Sequence, residues 1–154
     1  MTVLAEAPVK KGRFLVRPDL FDRLTDRIAV EAAGDRDLAV RIMDQTLAFL
    51  AASAATPDAR LVPSRLVDIG WHTFLLYTRD YTNFCHQIAV RYIHHLPSSP
   101  TGEAADTAAE RMRTLAAITA AGYTLDADLW PLAVEGRHGE CSGRGKLFRL
   151  RQGR

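Results

Sequence analysis

The sequence predicts an all-α protein: a compact bundle of about five helices, with an irregular N-terminal arm and a basic C-terminal tail. Apolar residues recur at three- and four-residue intervals through most of the chain, the signature of helices with one buried face. Alanine-rich runs near residues 48–55 and 104–121 add strong helix formers. There is no internal repeat and no clear strand alternation. A chain of 154 residues fits a single domain and can bury a core without disulfides or metal.

Residues 1–17 read as the arm, made basic by Lys10, Lys11, Arg13 and Arg17, with Phe14, Leu15 and Val16 able to dock on the core. The helical domain then spans 18–134. Pro18 suits a first helical turn, where its missing N–H costs nothing. Leu20, Leu24 and Ile28 mark one buried face, and Gly34 is a C-cap. Asp35 caps a second helix whose Ala39, Ile42, Met43, Thr46, Leu47 and Leu50 share a stripe, ending near Ala55 before Pro57. The short connection at Gly34-Asp35 makes these two helices an antiparallel hairpin.

Ser64 is the N-cap of a third helix, with Val67, Gly70, Trp71, Phe74 and Leu75 on its inner face. A glycine beside a tryptophan points to close packing against another element. A fresh start at Thr78, with Thr78 as cap, carries a stripe through Tyr81, Phe84, Cys85, Ile88 and Tyr92 to about His95. Residues 97–102 are a linker by composition. Residues 103–121 form a further helix, with Ala108, Met112, Leu115, Ala116 and Thr119 inward and Gly122 as C-cap. Leu125, Leu129, Trp130 and Leu132 pin the loop beyond it. Residues 135–154 are the tail, where from Gly136 onward Arg137, Arg144, Lys146, Arg149, Arg151 and Arg154 face a single acid, Glu140. Its composition predicts partial disorder.

Composition bounds the function. A net charge of +2 is too small to make the whole chain a nucleic-acid or membrane binder, although the tail could grip RNA or an acidic surface weakly. No uninterrupted apolar run approaches the ~18 residues of a membrane span. The N-terminus lacks a signal pattern, so the expected location is cytoplasmic and Cys85 and Cys141 are expected as thiols. There is no phosphate-cradling glycine loop and no dinucleotide fingerprint.

The chemistry gathers between Val67 and Pro97, which holds four of the five histidines. Asp68 and His72 are four apart and share a helix face. A carboxylate in that position can orient the imidazole through one ring nitrogen and leave the other free. His94-His95 would sit at a helix end, where the dipole favours a protonated imidazole without any ligand. Adjacent helical residues are ~100° apart, so one of the two at most would face His72 while the helix continues. Imidazole with thiolate, from Cys85 or Cys141, suits zinc. No Cys-x-x-Cys or His-Glu-x-x-His spacing supports it. A lone cysteine on an apolar stripe, as Cys85 is, is more often a small buried hydrophobe than a nucleophile. Trp71, Tyr77, Tyr81 and Tyr92 read as core rather than a ligand cage, and any buried tyrosine hydroxyl needs a partner, for which Asp68 or a histidine would serve.

Val67-Asp68-Ile69-Gly70-Trp71-His72, Thr78-Arg79-Asp80-Tyr81, Phe84-Cys85 and His94-His95-Leu96-Pro97 together form an ordered pattern. It resembles the glycine-rich-domain-containing-protein-like family, a bacterial group with plant relatives, and in length and layout its small actinobacterial members. The resemblance implies a shared fold and a cluster of Asp68, His72, Cys85, His94 and His95. Small bacterial members often end in several cysteines, of which only Cys141 stands here.

Three readings are open to these residues. In the first, His72 with His94 or His95, and Cys85 as an optional further ligand, hold a divalent metal such as zinc, and Asp68 orients His72. In the second, a non-enzymatic interaction module, the same residues are interlocking core hydrogen bonds and an unknown protein partner binds elsewhere. In the third, an enzyme uses His72 as general base and Cys85 as nucleophile. Side chains converging within ligand reach favour the metal. Histidines bonded to separate backbone carbonyls favour the module. An open cleft with Cys85 facing a histidine favours the enzyme.

Overall fold

The computed structural model describes residues 9–96 and 108–131. Helices α1 (Pro18–Glu31), α2 (Arg36–Ala55), α3 (Arg65–Leu76), α4 (Thr78–Ala89) and α5 (Ala108–Ala120) make up the bundle, with short 3-10 turns at Gly12–Leu15 and Ala127–Leu129. Among the described residues there is no strand, only an isolated bridge between Lys10 and Tyr123. Helix α2 is the hub and packs against α1, α3, α4, α5 and the first 3-10 turn. By length and composition it is apolar enough to span a membrane, although Arg41 and Asp44 interrupt its apolar run. In the bundle Ile42, Met43, Leu47, Phe49 and Leu50 are fully buried, while Leu38, Val40 and Ala54 are half-buried.

Local signals set the helix starts. The Asp35 carboxylate accepts from the Leu38 N–H and the Ser64 hydroxyl from the Val67 N–H, each satisfying a donor the first turn leaves open. Gly34 and Gly122 take left-handed backbone just past α1 and α5, with φ of +85° and +88°. The tight link between α3 and α4 differs from expectation. Tyr77 is at once the last cap of α3 and the first of α4, and Thr78 lies inside the helix, its carbonyl accepting from Thr82.

Gly70 fixes the depth of α3. A Cβ there would collide with the Thr46 hydroxyl oxygen, so the two backbones approach as only glycine permits. The Thr46 hydroxyl spans the contact, 2.8 Å from the Ile42 carbonyl and 3.1 Å from the Val67 carbonyl. The described part of the arm docks through Gly12, Leu15 and Val16 rather than through Phe14. Gly12 is buried against Asp44 and Leu47 of α2, whereas Phe14 is 81 % exposed.

Two further expectations fail. The inner face of α5 consists of Arg111, Thr114 and Ile118, while Ala108, Met112, Ala116 and Thr119 are exposed and Leu115 is half-buried. Polar residues occupy the buried face because they are partnered there. Arg111 donates to the Pro131 carbonyl, and the Thr114 hydroxyl accepts from the Val62 N–H at 2.9 Å. Helix α4 stops at Ala89 instead of reaching His95. Val90 is left-handed at φ +56°, and residues 91–96 have no helical structure.

The loop after α5 is held by one buried amide. Gln45 donates from Nε2 to the Thr124 carbonyl at 2.8 Å and accepts at Oε1 from the Asp126 N–H at 3.1 Å and the Trp130 indole N–H at 2.8 Å. Leu129 and Trp130 are buried as the sequence indicates. Leu132, Pro97, Cys141 and the whole 135–154 tail lie outside the described residues.

Candidate metal centre

The early end of α4 lets the chain return to α3. Beyond Val90 side chains alternate in and out, so Ile93 is 5 % exposed, His94 is exposed and His95 turns inward again. This decides between the two adjacent histidines. His95 Nε2 lies 2.6 Å from Asp68 Oδ1 and 3.0 Å from His72 Nε2. His72 Nε2 is 3.6 Å from Asp68 Oδ2, the helical pair expected from the spacing. The three residues bring one ligand atom each within 4.8 Å of one another.

Two expected members stand apart. The His94 ring packs on Tyr92 at 4.7 Å, outside the cluster. Cys85 is fully buried in the core and is not one of the grouped residues. A helix-end dipole cannot favour a charge on His94 or His95, because the helix ends several residues earlier. Asp68 also does more than orient His72. Its two oxygens address the Nε2 atoms of both histidines, and its closer partner is His95.

Trp71, one residue before His72, supports the site from below. The His95 ring stands edge-on to it at 4.5 Å and edge-on to the His72 ring at 4.4 Å. The Trp71 indole N–H donates to the Tyr81 hydroxyl at 2.9 Å, and that hydroxyl donates to the Ile93 carbonyl at 2.6 Å. Tyr81 is fully buried, and burial pushes its hydroxyl well above the ordinary tyrosine range, so it remains a donor. The sequence pattern offers Asp68 or a histidine as its partner; the partners are a tryptophan and a backbone carbonyl. Spacing gives no hint of this chain of bonds, since Ile93 reaches Tyr81 only after the α4 helix has broken.

The side of the triangle away from Trp71 is open. The His72 side chain is 51 % exposed and that of Asp68 37 %, against 14 % for His95. Asp68 Oδ1 and His72 Nε2 both crowd a single atom, His95 Nε2. Neutral imidazole carries a single N–H, on one nitrogen or the other. A proton on His95 Nε2 would have to serve both the Asp68 oxygen and the His72 nitrogen.

The sequence matches the UCP032817-like family over residues 12–126. The chain belongs to the UCP032817-like family. That match takes in all five α-helices and corrects the resemblance to the glycine-rich-domain-containing-protein-like family, which rested on about thirty residues. The elements of that resemblance are of kinds that recur by helix physics, such as an i, i+4 Asp–His pair and an inward tryptophan. The matched span takes in α1, α2 and α5 as well as the stretch with the histidines. No curated protein and no solved structure matches the chain.

Proposed function

We propose that this protein binds a divalent transition metal, zinc before others, through Asp68, His72 and His95. The observation that carries the reading is the convergence of two Nε2 atoms 3.0 Å apart on one carboxylate, whose Oδ1 lies 2.6 Å from His95 and whose Oδ2 lies 3.6 Å from His72. Ligand atoms at tetrahedral positions around zinc, with bonds of about 2.1 Å, stand about 3.4 Å apart. A single cation between them would be shared by both imidazoles and the carboxylate. Two imidazoles and a carboxylate are hard-to-borderline donors suited to zinc and neighbouring first-row ions.

Three protein ligands on an exposed face leave at least one coordination position to water. That is the pattern of zinc sites that act on a small ligand, in contrast to closed four-ligand structural sites. Histidines on separate backbone carbonyls would have favoured the interaction module, whereas His72 and His95 are bonded to Asp68 and to each other. An open cleft with Cys85 facing a histidine would have favoured the thiol enzyme, and Cys85 is buried.

The test is metal content and zinc titration of protein carrying no affinity-tag histidines, comparing the parent with His72→Ala. About one equivalent of zinc per chain is expected in the parent, with affinity at least 100-fold weaker in the variant and the helical signal unchanged. A parent that retains no zinc after equilibration and dialysis sinks the reading.

A further inference from the structure

The ligands of this site arrive by two routes. Asp68 and His72 come from one turn of α3, whereas His95 comes from the segment beyond α4 that begins at Val90. Val90 holds φ +56°, a conformation that β-branched residues adopt at a cost because Cβ crowds the next carbonyl. Its side chain is 90 % exposed, so no packing of its own compensates. The anchors lie further along the segment. Ile93 is buried, its carbonyl takes the Tyr81 hydroxyl proton at 2.6 Å, and His95 lies on Trp71 and the cluster. Tyr81 in turn is fixed by the Trp71 N–H and by the edge of Phe74 at 5.1 Å.

Resting on the reading of a zinc site, we propose that Tyr81 is a positioning residue for the metal centre. The segment Val90–His95 is then a hinged ligand arm, with Val90 the hinge that favours release and the Tyr81–Ile93 hydrogen bond and the metal the two locks that favour closure. One hydroxyl joins α3, α4 and the arm, so the position of His95 is set through Tyr81 although that side chain touches none of the ligand atoms. A protein whose ligation-competent arm is only partly populated binds its ligand more weakly by that fraction. The two ends of the arm therefore act on affinity with opposite sign.

The experiment is zinc affinity by competition with a chromogenic chelator, on the full chain, for the parent, Tyr81→Phe and Val90→Gly. Tyr81→Phe removes the donor to Ile93 and is expected to weaken zinc roughly 10- to 100-fold, the range typical of lost support around a ligand. Val90→Gly removes the cost of the left-handed conformation and is expected to tighten zinc roughly threefold, the gain being reduced by the freedom glycine gives the open arm. A residue that served only the fold would shift the melting temperature and leave affinity alone. Parent-like affinity in a folded Tyr81→Phe variant overturns the proposal. Should that variant not fold, Val90→Gly decides by itself, since unchanged or weaker affinity there also overturns it. A parent that binds no zinc overturns the metal reading and the arm together, whereas a zinc-binding parent with indifferent variants overturns only the arm.

Discussion

Two polar clusters flank the bundle, and they are built on opposite rules. Around Gln45 every polar atom has its own partner. The amide nitrogen meets the Thr124 carbonyl, and the amide oxygen meets the Asp126 and Trp130 N–H groups. At the surface beside it, Arg41 reaches Asp126 with two nitrogens, at 2.6 and 2.8 Å, and Asp128 at 2.8 Å. Around His95 the Asp68 carboxylate and the His72 Nε2 both crowd one ring nitrogen. The first cluster is closed and needs nothing added. The second, on the proposed reading, is completed by a cation. A polar group that holds a fold is recognised by donors and acceptors in balance, and a site that awaits a ligand by their imbalance.

The sharpest way to break the contrast is to empty the closed cluster. Gln45→Leu keeps the volume and leaves the Trp130 N–H, the Asp126 N–H and the Thr124 carbonyl without their partner in a 2 % exposed setting. At ~1 kcal/mol or more for each stranded group, the expected loss of stability is about 3 kcal/mol, read from urea unfolding. Zinc affinity is expected to remain at the parent level. A Gln45→Leu protein of parental stability would show that the amide network is dispensable and remove one side of the comparison.

Gly70→Ala strikes the site from the opposite direction. In an exposed helix this change gains up to about 1 kcal/mol. Here the new methyl meets the Thr46 hydroxyl, whose two carbonyl contacts tie α3 to α2. Overpacking of this kind costs typically 1–3 kcal/mol, so a net loss of about 2 kcal/mol is expected in thermal unfolding. Because α3 carries both Asp68 and His72, zinc affinity should fall with it, which Gln45→Leu does not do. A stabilised Gly70→Ala variant would mean that α3 can move away from α2 freely.

Much of the fold is legible in the sequence because its signals are local. Pro18, Asp35 and Ser64 each announce a helix start within one turn, and the Asp35 and Ser64 side chains make the expected cap bonds. The inner face of α5 is not legible, because Arg111 and Thr114 are buried only by virtue of partners at Pro131 and Val62, distant in sequence. The break at Val90 has no local cue at all. A valine argues for extended or helical backbone, and the left-handed turn exists because Ile93 and His95 are anchored further on. The site divides along the same line. Asp68 and His72 come from i, i+4 spacing, whereas the choice of His95 over His94 depends on where α4 ends. Cys85 draws attention by its chemistry and sits in the core by its position on the apolar stripe of α4.

The smallest expected effect tests whether the surface part of the closed cluster matters at all. The Arg41 guanidinium, hydrogen-bonded to Asp126, holds that carboxyl below the usual aspartate range against the opposing influence of burial. The folded pKa is thus lower than the unfolded one. Stability from this pair is fully present above the unfolded aspartate value, ~3.9, and is lost as pH falls from there through the depressed folded value. Arg41 stays charged throughout and adds no slope of its own, its pKa being raised further by both aspartates. With the Arg41 side chain 42 % exposed, screening limits the contribution to about 1 kcal/mol at neutral pH. Arg41→Met should therefore lower stability by about that much at pH 7, and the gap to the parent should close as the solution is acidified below about pH 4. Chemical unfolding of both proteins across the acid range reads the difference. A gap that stays constant down to the lowest pH would assign the loss to the packing of the Arg41 stem rather than to its charge, and the Asp126 carboxylate would no longer count among the groups that close the cluster.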